Sequence, residues 1–280
     1  MEILRTRAEM RAFTARRHAV GERVGLVPTM GYLHDGHVAL MHAAAKHAEA
    51  VVASVFVNPT QFGPNEDFER YPRDEAGDFN RCAAAGCAAV FAPPVAEMYR
   101  PGAATRVEVP PLARHLCGQS RPTHFQGVCT VVCLLFNVTG CDVAVFGEKD
   151  WQQLAIIRRM VEDLALPVAV VGHPIVREAD GLAMSSRNVY LDPQQRRAAV
   201  ALSAALAEAR AKYAAGERDA EALRAVMRDR IAGTGGRIDY VEVVDAAALE
   251  PLTGAITAPA RAALAVFFGG TRLIDNAALG

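Results

Sequence analysis

The stretch Val24-Gly25-Leu26-Val27-Pro28-Thr29-Met30-Gly31-Tyr32-Leu33-His34-Asp35-Gly36-His37 decides how this chain is read. Val24 to Val27 is a short apolar run of the kind a buried strand needs. From about His37 to Ala50 the apolar residues Val38, Leu40, Met41, Ala44, Ala45 and Ala48 recur with helical period. A buried strand therefore hands over to a helix, and two histidines three apart sit at the junction. In open α/β sheets ligands gather beyond the carboxyl ends of the strands. A helix N-terminus there offers free N–H groups and the positive end of a dipole, which suits phosphate. Gly31 and Gly36 let the backbone pass close to a phosphate, and an imidazole can donate to phosphate oxygens as charge builds in a pentavalent state. The plain alternative is a surface loop carrying two incidental histidines. The preceding strand and the glycines favour phosphate contact.

Working outward, strand-like and helix-like runs alternate. Val51–Val57 is continuous and rich in β-branched residues, as a strand buried on both faces should be. Asp74–Ala85 reads as helix, Ala88–Phe91 as a short strand and Phe125–Asn137 as helix by its length. Asp142–Phe146 is a strand, Asp150–Leu164 a helix and Val168–Val171 a strand. Repeated β-α-β units predict an α/β fold with a Rossmann-like, doubly wound parallel sheet. After about Val176 the style changes. Asp192 to Ile231 is rich in Ala, Arg and Glu with helical period, opened by Asp192-Pro193 as cap and first turn. Ile238–Val244 and Ala263–Phe268 read as strands of a small sheet. The expectation is a domain over 1–175 that binds the nucleotide and a smaller C-terminal α+β lid domain over 176–280, with a hinge near 172–180.

Composition narrows the function classes. Of 280 residues 51% are hydrophobic and 22% charged, and the formal net charge is −1, so nothing asks for nucleic acid or an anionic membrane as partner. Lys46, Lys149 and Lys212 are the only lysines, arginine supplying the rest of the positive charge, so a lysine at a strand end draws notice. Cys82, Cys87, Cys117, Cys129, Cys133 and Cys141 form no C-x-x-C pair or zinc spacing, and are read as small buried hydrophobes. No apolar signal core opens the chain and no stretch is long enough to span a membrane, so a reducing, cytoplasmic setting is expected.

Four further loops could carry chemistry. Phe146-Gly147-Glu148-Lys149-Asp150-Trp151-Gln152-Gln153 again follows a strand and opens a helix. Lys149 can neutralise phosphate as a mobile point charge, and Asp150 could cap the helix or help hold a Mg²⁺ through water. Met184-Ser185-Ser186-Arg187-Asn188 follows Asp180-Gly181 in the expected hinge, where two hydroxyls and a guanidinium can bind triphosphate. Asn58-Pro59-Thr60-Gln61-Phe62-Gly63 leaves strand Val51–Val57 and puts Gln61 where an amide can reach a small substrate's hydroxyl or carboxylate; it reads equally as a turn. Arg121 and His124 could be ligands or could cap the helix that follows. Taken singly each loop is modest, but their shared placement at strand ends or at the hinge points to one crevice.

Taken together these residues resemble the pantoate–β-alanine ligase family over nearly the whole chain. The resemblance rests on PTMGYLHDGH (28–37), VFVNPTQFGPNEDFERYPR (55–73), RPTHFQGVCTVV (121–132), FGEKDWQQL (146–154) and READGLAMSSRNVYL (177–191). The H-x-G-H element alone is shared across the wider nucleotidyltransferase superfamily. The resemblance implies a two-step reaction in which pantoate attacks the α-phosphorus of Mg-ATP to give pantoyl adenylate and pyrophosphate. β-Alanine then displaces AMP to give pantothenate. It implies that Met30, Gly31, Tyr32, Leu33, His34, Asp35, Gly36 and His37 form the nucleotide loop, with His37 the family's proton donor, although charge stabilisation suits its chemistry better. Gly147, Glu148, Lys149 and Asp150, with Val176, Met184, Ser185, Ser186 and Arg187, would complete the ATP site. His34, His37, Lys149 and Arg187 would be the catalytic set. Gln61 and Gln153 would hold pantoate, and Gln61 would border β-alanine. ATP as cosubstrate, Mg²⁺ and a homodimer are implied in the same way, with Asp150 the candidate metal ligand. One departure from the pattern is Leu134, where a lysine is expected. Two rivals are a nucleotidyltransferase acting on a phosphorylated cofactor precursor, which would want a basic pocket for a second phosphate, and a non-catalytic nucleotide sensor. The Gln61 and Gln153 pair suits a small hydroxy acid better than the first. Retention of Lys149, both histidines and both glutamines argues against the second.

Overall fold

The computed structural model describes residues 1–64 and 66–280; residue 65, within the 55–73 motif, lies outside the described residues. The chain folds as two compact units. One comprises Met1–Val109, Thr123–Glu148 and Ile156–Pro174, and the other Pro110–Pro122, Lys149–Ala155 and Ile175–Gly280.

The first unit is built on six parallel strands, β1 (Glu2–Leu4), β2 (Val24–Thr29), β3 (Ala50–Val55), β4 (Ala89–Phe91), β5 (Val143–Gly147) and β6 (Ala169–His173). They lie in the order β1-β4-β3-β2-β5-β6. The chain steps from β2 outward to β3, then returns to lay β5 on the other side of β2, so the winding direction reverses at β2. The carboxyl ends of three neighbouring strands, Val55, Thr29 and Gly147, therefore lie along one edge of the sheet, where the 56–63 and 30–37 segments leave it. Helices α1 (Arg7–Ala19), α2 (Asp35–Ala44) and α3 (Glu75–Ala84) follow β1, β2 and β3. α2 buries Leu40 and Met41 against Val27, Val51, Ala53, Val90 and Val145 of the sheet. The helix expected to run to Ala50 stops at Ala44, because Ala50 is drawn into the sheet as the β3 partner of Val24.

Helices α4 (Val95–Met98), α5 (Pro110–Ala113) and α6 (Cys117–Ser120) are single turns that the sequence pattern does not reveal. α7 (His124–Thr139) is the long apolar helix, and Gly140 ends it at φ +54 with its N–H on the Phe136 carbonyl. Leu134 lies half-buried on this helix. Five of the six cysteines are buried and all six are unpaired thiols. Burial pushes the Cys129 and Cys141 thiols up to about 12, so they pack as neutral groups.

A 3₁₀ turn, Glu148–Asp150, leads into α8 (Trp151–Asp163). In the second unit α9 (Pro193–Ala199), α10 (Ala201–Ala214) and α11 (Ala220–Ile231) replace the single helical region that periodicity suggests. Asp192 caps α9 as expected, accepting from the Gln194 and Gln195 amides at 2.8 Å. The small sheet is antiparallel, in the order β7 (Arg237–Asp245), β8 (Ala260–Phe268) and β9 (Thr271–Leu279). Its core joins Leu202, Leu206, Leu223 and Met227 to Val243, Leu264, Val266 and Phe268. β9 is a strand that the sequence pattern does not announce. Among the described residues no helix is long and apolar enough to cross a membrane.

Candidate active site

The 30–37 loop begins where Thr29 ends β2. The Thr29 hydroxyl donates to the Ser54 carbonyl at 2.7 Å and accepts the Gly31 amide at 3.2 Å. Gly31 (φ +84) and Tyr32 (φ +51) both take the left-handed conformation. A Cβ on Gly31 would stand 2.7 Å from Asp78 Oδ2, so both the torsion and the space require glycine. Asp78, buried on α3, accepts the Tyr32 amide at 2.9 Å and the Leu33 amide at 2.7 Å, one oxygen each. This carboxylate holds the strained turn in place. Burial raises its carboxyl above the usual range, against the two amide donors that pull it down. Nothing in the sequence marks Asp78, because an aspartate in an α-helix reads as surface.

His34 is the N-cap of α2 and His37 lies in its first turn. The His34 amide donates to His37 Nδ1 at 3.2 Å, and the two rings lie 4.0 Å apart. With Nδ1 occupied as an acceptor, the neutral His37 ring carries its proton on Nε2, which is therefore the donor nitrogen. Asp35 in the same turn meets Arg81 at 3.2 Å.

Gln61 ends a 3₁₀ turn, Pro59–Gln61, and is buried. Its Nε2 donates to the Met30 sulfur at 3.2 Å, which ties the 58–63 turn to the 30–37 loop. Its Oε1 accepts from Asn58 Nδ2 at 3.0 Å. Asn58 is 1% exposed and is the hub of this corner. Its amide also donates to the Gly127 carbonyl at 3.2 Å, while its Oδ1 accepts from Tyr99 Oη at 2.8 Å and Thr60 Oγ1 at 2.9 Å. His124 Nδ1 lies 2.9 Å from the Gln61 carbonyl, so this residue braces the turn. In sequence Asn58 reads only as turn punctuation, and His124 reads equally as ligand or cap. Tyr99 carries no signal there, since it lies far from every motif.

In the second unit, Gln152 and Gln153 divide their work. Gln152 is buried, accepts the Cys117 amide at 3.0 Å and donates to the Leu112 and His115 carbonyls at 2.9 and 2.7 Å. Gln153 is half-buried, and its side-chain amide has no hydrogen-bond partner among the described residues. It is thus available to a ligand, whereas Gln152 is spent on the fold. The Lys149 carbonyl accepts from Asn276 Nδ2 at 2.8 Å. Residues 176–184 form a tight hairpin, in which the Met184 amide donates to the Val176 carbonyl at 3.0 Å and Arg177 pairs with Ala183. Val176 and Met184 are thereby neighbours. The hairpin delivers Ser185, which caps a 3₁₀ turn by accepting the Arg187 amide at 3.2 Å, and Ser186, which is buried.

Among the described residues no three His, Cys, Asp or Glu side chains group as a metal site. Asp150 alone is too few donors for a protein-held cation. It does fit Mg²⁺ that arrives on a triphosphate and keeps phosphate and water as its main ligands.

The sequence profile of the pantoate–β-alanine ligase family matches residues 2–278. A pantothenate synthetase from Pelotomaculum thermopropionicum is 54% identical, over 100% of this chain and 99% of its own. One from Anaeromyxobacter dehalogenans is 57% identical, over 95% and 94%. The crystal structure of pantothenate synthetase from Thermus thermophilus superposes with a TM-score of 0.94 at 48% identity, covering 100% of this chain and 99% of that one. A pantoate–β-alanine ligase from Francisella tularensis, complexed with β,γ-ATP and β-alanine, gives 0.79 at 30% identity, covering 99% and 97%. With the profile and these relatives matching from end to end, the chain belongs to the pantoate–β-alanine ligase family.

Proposed function

We infer that the 30–37 loop, the Gln61 turn, Lys149, Gln153 and Met184–Arg187 carry the two half-reactions of this enzyme. The chain is an ATP-dependent ligase that condenses (R)-pantoate with β-alanine. A pantoate carboxylate oxygen attacks the α-phosphorus, the bond to the pyrophosphate oxygen breaks, and pantoyl adenylate forms. The β-alanine amine then attacks the acyl carbon, the bond to AMP breaks, and the amine's proton is lost as pantothenate leaves.

Both steps need positioning and charge stabilisation more than covalent help from the protein. His37 donates from Nε2 to a phosphate oxygen at the N-terminus of α2, and His34 steadies the same group. Lys149 and Arg187 neutralise the departing pyrophosphate, with Ser185 and Ser186 as hydroxyl donors. Met30 to Asp35 and Gly36 contribute backbone to the nucleotide, as do Gly147, Glu148, Asp150 and Val176. Gln61 and Gln153 hold pantoate, and Gln61 also borders β-alanine. Asp150 would be the protein contact of a Mg²⁺ carried on the triphosphate, which would offset phosphate charge.

The observation that carries this reading is the Gln61–Met30 bond, because it seats the acid-binding amide beside the nucleotide loop within one unit. Incubation with Mg-ATP and pantoate alone tests it. Release of one pyrophosphate per active site without β-alanine supports it. Release that needs the amine, or that ignores pantoate, rules it out. We further place the enzyme in the cytoplasm as a homodimer, with small molecules as its substrates. Sedimentation of the 29.9 kDa chain at twice its mass checks the dimer.

A further inference from the structure

Strand β9 carries two consecutive buried polar residues, Asp275 at 2% exposure and Asn276 at 4%. Successive residues of a strand face opposite sides of a sheet, so a buried pair breaks the usual alternation. Burying a carboxylate and an amide is costly unless their hydrogen bonds are met. Here neither is satisfied by the neighbouring strand's side chains alone. Asp275 grips Arg177 through both oxygens, at 2.7 and 3.0 Å, and Arg177 also donates to the Gly181 carbonyl at 3.0 Å. That fork closes the 176–184 hairpin, whose Glu178 amide meets the Leu182 carbonyl at 2.8 Å and whose end is Met184. Asn276 accepts from Arg261 Nη1 and donates from Nδ2 to the Lys149 carbonyl at 2.8 Å. Arg261 in turn lies 3.5 Å over the Trp151 ring, which anchors the same corner. All these residues belong to the second unit.

We propose that Asp275 and Asn276 are positioning residues of the adenylation step. Asn276 sets the backbone of Lys149, and Asp275 sets the hairpin that presents Met184–Arg187. One strand thereby holds in common register two phosphate-binding segments that are far apart in sequence. The proposal rests on the assignment of those segments to the phosphates of ATP. Each acts through its partner, Asp275 through Arg177 and Asn276 through the Lys149 backbone.

Asn276→Asp keeps an acceptor for Arg261 and removes the donor to Lys149. Asp275→Asn keeps the shape and weakens the grip on Arg177. We expect each to slow pantoate-dependent pyrophosphate release by on the order of 10-fold or more, since displacement of a positioned group by an ångström costs up to about 10²-fold. The KM for β-alanine in the second step stays unchanged. Asn276→Ala combined with Lys149→Ala should be no slower than Lys149→Ala alone, because residues acting as a unit are non-additive. A merely structural role would lower thermal stability and add to the Lys149→Ala defect. If Asp275→Asn or Asn276→Asp does not fold, Arg177→Lys and Asn276→Ser test the same two arms. Wild-type adenylation in folded variants, or additivity with Lys149→Ala, overturns the proposal. A Lys149→Ala enzyme with wild-type adenylation would overturn the phosphate assignment itself, and this inference with it.

Discussion

Gly127→Ala should damage pantoate binding although it adds only one methyl group to a helix. Gly127 lies in the first turns of α7, where the turn carrying Gln61 crosses it. An added Cβ would sit 2.4 Å from the Thr60 carbonyl oxygen, 2.6 Å from its carbon and 2.7 Å from Gln61 Cα, all of them backbone. Real Cβ atoms essentially never come within 3.0 Å of such neighbours, so the turn must retreat by about 0.6 Å or more. The Asn58 bond to the Gly127 carbonyl, at 3.2 Å, and the His124 bond to the Gln61 carbonyl, at 2.9 Å, run across the same gap. The first has no slack to follow. Alanine favours a helix over glycine by about 1 kcal/mol, but overpacking costs roughly 1–3 kcal/mol and a lost hydrogen bond about 1 kcal/mol more. The net is a loss of roughly 1–3 kcal/mol. The functional effect should be larger than the stability effect, since a group misplaced by an ångström can cost about 10²-fold in rate. Titration with pantoate and single-turnover pyrophosphate release read this directly, with ATP affinity as the internal control. A Gly127→Ala protein with wild-type pantoate affinity and adenylation rate would refute the reasoning, because it would mean that the Gln61 turn does not depend on its contact with α7.

His37→Ala and Lys149→Ala should each cut adenylate formation by on the order of 10²-fold or more, the scale of losing one transition-state donor; unchanged single-turnover rates would remove them from the reaction. Gln61→Ala should chiefly weaken pantoate binding, and Asn58→Ala should do the same while also lowering thermal stability, as it strips partners from Gln61, Tyr99 and Gly127; equal pantoate affinity in a titration would contradict both. Asp78 supplies a pH signature. Its carboxyl is raised in the folded protein from the usual 3.8, so the folded state binds more protons than the unfolded one between 3.8 and the raised value. Its contribution is fully present below 3.8, and stability falls as pH rises through that window. Melting curves of the wild type should therefore lose ground to those of Asp78→Asn as pH rises from about 4; parallel curves would show that Asp78 does not titrate there.

Much of the fold is readable because its signals are local. The apolar run at Val24–Val27 and the β-branched run at Val51–Val57 announce buried strands through their own side chains, and the start of α9 is marked by its capping residue Asp192. The strand ends also carry the 30–37 loop and the Gln61 turn, the segments proposed to bind the substrates. The errors are of extent and of omission. Periodicity carries α2 beyond its true end at Ala44, because Ala45 to Ala50 keeps helical composition until Ala50 pairs with Val24. β1 is too short to show a pattern. β9 escapes notice because Arg272, Asp275 and Asn276 interrupt the alternation that a half-buried strand should show.

From its order of residues alone, this chain specifies where strands pass into helices and which phosphate-seeking and amide side chains stand at those points, since both depend on neighbours within one or two turns. Tertiary structure alone decides which polar residues are buried to hold those loops. Asp78 meets Tyr32 across 46 positions, Asp275 meets Arg177 across 98, and Asn276 meets Lys149 across 127. An aspartate or asparagine looks the same in sequence whether it faces water or a buried amide. Its desolvation is offset only when the fold brings a distant donor or acceptor to it, and no local pattern encodes that meeting.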